Sequence, residues 1–141
     1  MSPIRPFSGL IRTRLTDLRN GLLHLHKTLL DSERFTYERT HGRIESTGEF
    51  FQLVVGGAWF EWLHRVSELV VEIDEMLDAE EPPTPIEATR LIDRTRTLLK
   101  PSEKGAGFGK RYYEALQRDP DVVLAHAAVK KLLRRSVFHL N

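Results

Sequence analysis

Apolar residues recur at helical spacing along the first third of the chain. From Ile11, the residues Leu15, Leu18, Leu22, Leu25 and Leu29 step by threes and fours, which places them on one stripe of an α-helix. The stripe predicts a first helix over about 8–41, ended by Gly42, a residue that readily takes the left-handed turn after a helix. Ser46 or Thr47 then caps a second helical segment, with Glu49 placed as the capping-box partner of Ser46. That segment reaches about residue 79, with a kink at Gly56-Gly57. Beyond the kink Trp59, Trp62, Val66, Leu69, Val70, Ile73 and Leu77 resume the helical period, until Glu80-Glu81-Pro82-Pro83 stops it.

Thr84-Pro85 reads as a cap followed by proline in the first turn, opening a helix over about 85–99. After a loop, helices are predicted over about 107–119, with Phe108, Tyr112 and Leu116 on one side, and over about 120–138. The last carries Val122, Ala125, Val129, Leu132 and Ser136 on one side. No stretch alternates with period two for long enough to make a strand. About five amphipathic helices on short connections satisfy their stripes only by packing on one another. The expected fold is therefore all-α, an antiparallel helical bundle, and 141 residues suit a single domain, 1–141, with one core.

Two stretches, Leu25-His26-Lys27-Thr28-Leu29-Leu30-Asp31-Ser32-Glu33-Arg34 and Leu116-Gln117-Arg118-Asp119-Pro120-Asp121-Val122-Val123-Leu124-Ala125-His126, resemble uncharacterised bacterial helical-bundle proteins. No named family attaches to that resemblance, and it implies no activity.

Composition narrows the function classes. Apolar residues make up 40% and charged residues 29%, enough burial to offset the entropy of ordering. There is no cysteine, which removes disulfides, thiolate metal sites and a cysteine nucleophile. The first ten residues hold no apolar run of signal-peptide length, and residues 50–63 are broken by Gln52, Gly56, Gly57 and Glu61, short of a membrane span. The expected location is the cytoplasm. Charge is uneven: residues 44–81 hold one Lys/Arg against ten Asp/Glu, whereas residues 1–43 hold eight against four.

Three kinds of chemistry are worth placing on this frame. Two Glu-x-x-His pairs, Glu38 with His41 and Glu61 with His64, have the spacing of a di-metal bundle. Helix phase argues against them, because Glu38 falls roughly 160° from Leu22, and Glu61 and His64 roughly 140° and 160° from Val66. His26 and Glu33 instead lie roughly 40° and 20° from Leu22, and His126 sits on the shoulder of the last helix. If the first and last helices are neighbours, His26, Glu33 and His126 could form a metal or small-ligand site, or a structural hydrogen-bonded network. No catalytic residue is assigned and no cofactor is expected outside that cluster.

The second chemistry is anion binding. Lys104, Gly105, Gly107, Gly109, Lys110 and Arg111 form a glycine-rich loop entering a helix, where bare N–H groups and cations suit phosphate. The loop departs from a P-loop, since Gly105 and Gly109 enclose three residues and Arg111 follows Lys110. With the Lys130-Lys131 and Arg134-Arg135 pairs of the last helix it makes an alternative site for phosphate or a nucleic-acid backbone, disfavoured by a pI near 8.1.

The third is protein binding. Phe50, Phe51, Val54, Val55, Trp59, Phe60 and Trp62 concentrate apolar bulk, and Phe60 and Val71 fall roughly 120° to 140° from Val66. They suggest a second apolar strip that another helix or another subunit covers. The sequence thus points to a non-catalytic bundle acting through a protein partner or homo-oligomer.

Overall fold

The computed structural model describes residues 6–135. Among them the elements are α1 (Pro6–His41), α2 (Thr47–Gly56), a 3-10 turn (Glu61–Leu63), α3 (His64–Asp78), α4 (Pro85–Leu98), α5 (Phe108–Arg118) and α6 (Pro120–Arg134). There is no strand among the described residues, and the fold is an all-α bundle. The caps follow the sequence. Ser46 Oγ accepts from the Glu49 amide, and Thr84 with Glu87 forms a reciprocal capping box ahead of Pro85. Asp119 caps α6 ahead of Pro120. Glu49 differs from its expected role, reaching back to the amide of Glu45 rather than that of Ser46.

Helix α1, about 54 Å long at 1.5 Å per residue, is the axis of the molecule. Its stripe of Ile11, Leu15, Leu18, Leu22, Leu25 and Leu29 is fully buried. Each such side chain contributes about 2 kcal/mol through area removed from water. Helices α3 and α6 both run antiparallel to α1 and make its most extensive contacts. Along α3, the Arg12 guanidinium bonds the Leu77 carbonyl and Arg19 pairs with Asp74. At the far end, Tyr37 meets the rings of Trp59 and Phe60. Along α6, Arg135 lies near Asp17, while Arg118, just before α6 begins, reaches Glu33. Val122, Ala125, Val129 and Leu133 face the core; Ser136 and the predicted helix end at 138 lie outside the described residues.

The expected kink at residues 56–57 is a full break. The Gly57 amide bonds the Leu53 carbonyl at 2.8 Å, and a Cβ on Gly57 would sit 2.4 Å from that oxygen, so only glycine fits. The turn that follows resets the helical phase. Phe60, projected off the stripe by an unbroken helix, is instead fully buried, with Phe50 edge-on at 5.6 Å. It belongs to this chain's own core and not to a second apolar strip. Val71 does stay exposed.

Candidate protein-docking groove

Glu33 is the one buried carboxylate among the described residues, with 2% of its side chain exposed. Its Oε1 accepts from Arg118 Nη2 at 2.7 Å and its Oε2 from Arg111 Nη2 at 3.4 Å. Arg118 Nε also donates to Ser32 Oγ at 3.2 Å. Arg111 in turn lies over the rings of Trp59 and Trp62, 5.7 and 5.6 Å from their centroids. A buried charge is stable only when paired; here two cations from α5 pair it and bolt α5 to α1.

Helices α1 and α6 are indeed neighbours, but Glu33 and His126 have separate partners. His126 Nδ1 is hydrogen bonded to the Tyr112 hydroxyl at 2.6 Å. Burial, and then the charge of Lys130, hold its pKa below the ordinary histidine value; burial raises that of the Tyr112 hydroxyl. Burial first and the charge of His64 second lower the pKa of His26. The physical reason that Glu33 and His126 are separate is α5, which gives Arg111 and Arg118 to the one and Tyr112 to the other. Among the described residues no three His, Asp or Glu side chains are grouped to hold a metal.

The Glu-x-x-His pairs are also employed locally. Glu38 Oε2 accepts from the Ile44 amide at 2.8 Å, tying down the turn after α1, and His41 stacks on Tyr37. His64, expected on the outside, is half-buried against α2, where its Nε2 donates to the Val54 carbonyl at 2.9 Å.

The glycine-rich loop is organised around its own backbone. Gly105 and Gly107 have φ of 89° and 96°, where a side chain is strained. The Ser102 amide bonds the Gly109 carbonyl, and a Cβ on Gly109 would sit 3.1 Å from that of Ser102. Lys110 Nζ donates to the Glu103 carbonyl, Ser102 Oγ to the carbonyl of Lys104, and Arg111 turns inward to Glu33. Two of the three cations proposed for an anion are therefore engaged with this chain.

A wide concavity lies elsewhere. A groove of about 710 Å³ runs between the outer flank of α1 and the corner where α5 passes into α6. Lys27, Asp31 and Phe35 form one wall, and Arg118, Asp121 and Leu124 the other. Phe35 is 65% exposed and Leu124 69%, the two most exposed large apolar side chains among the described residues. Arg118 links this groove to the buried Glu33, so the ion pair that fixes α5 also fixes one wall. Neither Phe35 nor Leu124 was singled out from the sequence, although helix phase carried the signal: Phe35 lies roughly 140° from Leu22, and Leu124 roughly 160° from Val122.

Compared with known proteins, the chain matches no family model, no curated protein and no solved structure.

Proposed function

We propose that this chain is a protein-docking module without catalytic chemistry, and that the groove between α1 and the start of α6 receives its partner. The observation that carries the reading is the pair Phe35 and Leu124, standing free on facing walls of one groove. Aromatic and aliphatic anchors set in a concave surface with a charged rim are the usual source of binding energy between proteins. Lys27, Asp31 and Asp121 supply that rim. The cytoplasm is the compartment this reading takes, supported by a sequence without cysteine. No helix among the described residues is long and apolar enough to cross a membrane.

Native mass spectrometry on gently purified, untagged protein tests the reading. The expected result is an assembly heavier than the 16.3 kDa chain, made of protein alone and reduced to the single chain by Phe35→Asp. A single chain that retains a stoichiometric metal or metabolite, lost on His26→Ala, overturns it in favour of a small-ligand site.

A further inference from the structure

We infer that the partner for this groove is a second copy of the chain, docked so that the outer flanks of the two α1 helices run antiparallel about a two-fold axis centred between Lys27 and Asp31. The inference rests on the docking reading above and names its occupant. Along that flank Leu23, Lys27, Asp31 and Phe35 follow one another in steps of four, and all four are exposed. Residues in steps of four make a continuous inclined ridge on a helix, and two such ridges lie side by side when their helices cross at about 50°.

The order of side chains on this ridge is apolar, cation, anion, apolar. A two-fold axis presents each copy with the same ridge in reverse order, and whatever one copy offers must satisfy its own image. With the axis midway between Lys27 and Asp31, Lys27 of each copy faces Asp31 of the other, and Leu23 of each faces Phe35 of the other. Both complementarities hold at once.

Neighbouring registers fail. Moving the axis half a turn toward Phe35 sets Asp31 against Asp31 and Lys27 against Phe35; half a turn the other way sets Lys27 against Lys27 and Leu23 against Asp31. Like charges facing each other across an interface are disfavoured, so the ridge specifies a single register.

Within one chain Lys27 and Asp31 form only a solvent-exposed pair, 3.4 Å apart with side chains 77% and 66% exposed. Such a pair contributes little alone and is free to be exchanged for the pairs between copies. A stable dimer needs about 800 Å² from each partner, more than a single ridge supplies. Leu124 across the groove and Val123 beside it, both exposed, widen the apolar surface.

Charge reversal tests the register on the full chain, by light scattering and native mass spectrometry. Wild type is expected as a dimer of twice the 16.3 kDa chain mass. Lys27→Asp leaves two acids facing two acids, and Asp31→Lys two bases facing two bases. Each variant alone is expected to dimerise at least about tenfold more weakly, the effect of ~1.4 kcal/mol. Mixed one to one they are expected to restore a dimer containing one of each, with the circular dichroism of both unchanged.

Three results overturn the inference. A wild-type dimer that Phe35→Asp dissociates but both charge variants leave intact overturns the register and keeps the docking reading. Wild type held in the groove by a different protein, with no homodimer, overturns the second copy and keeps the docking reading. A chain whose assembly is unchanged by Phe35→Asp overturns both.

Discussion

The seam between α1 and α6 is closed at one end and open at the other. At the closed end Gly21 brings the two helices into direct contact: a Cβ there would sit 2.8 Å from Leu132 Cδ1 and 3.5 Å from Val129 Cγ2. At the open end, about three turns further along α1, Ser32 and Glu33 face Arg118, whose guanidinium bridges α1 to the end of α5, just before α6 begins. The groove lies beside that bridge. A missing side chain lets helices meet, and a long charged one both joins them and leaves a concave flank. Helix α1 therefore makes close-packed core with α6 at one end and, where α5 joins it, one wall of a groove at the other.

Removing the bridge should have the largest effect. Glu33→Ala leaves two cations facing a dry carboxylate site, and stability should fall by about 3 kcal/mol, the low end for breaking a buried pair. The low end applies because the arginine side chains are 36% and 32% exposed and can rehydrate. A urea titration followed by circular dichroism reads it; a loss below about 0.5 kcal/mol, the range of ordinary surface substitutions, would show that the bridge does not hold the open end.

Filling the closed end comes next. Gly21→Leu forces bulk against Leu132 and Val129 and should cost about 2 kcal/mol by overpacking. Gly21→Ala should change stability by less than about 1 kcal/mol, because the strain meets the flexible end of Leu132 and alanine favours helix by a similar amount. Equal costs for the two would mean that the helices are not close-packed there.

Acid should weaken the fold through His26 and His126. Both have pKa values held below the ordinary 6.5 by burial, so the unfolded chain takes up protons that the folded chain resists. Their contribution to stability is complete above about pH 6.5 and is lost as pH falls through the lower folded values. The urea midpoint should drop as pH falls below about 6.5, and His126→Gln should flatten part of that slope.

The smallest expected change in stability belongs to the groove itself. Phe35→Asp and Leu124→Asn alter exposed side chains and should move stability by no more than about 0.5 kcal/mol, while changing assembly by native mass spectrometry. A large loss of stability from either would mean that the groove is part of the fold.

Much of the fold was legible in the chain. The leucine stripe of α1, the Thr84-Pro85 and Asp119-Pro120 starts and the stop at Gly42 are local signals, set by side-chain period and by backbone groups within one turn. The break at Gly57 was read only as a kink, because its extent depends on where the chain goes after the glycine. That single uncertainty misplaced Phe60, whose phase relative to Val66 runs through the break, and hid the contact of His64 with α2. For the site, Glu33 was correctly placed on the core side of α1, but its partners were sought in His26 and His126. They come instead from α5, some eighty residues on.

The sequence by itself determined the helices, their caps and the face of α1 that would be buried, because those depend on residues three and four apart. It also determined that Glu33 needed a counter-charge, since a carboxylate on an apolar stripe has to be paired. Only the tertiary structure decided which cations pair with it, that α5 stands between Glu33 and His126, and that α1 closes on α6 at Gly21 and meets α5 through Arg118. Those are distances between segments far apart in the chain, and they are set by how whole helices pack.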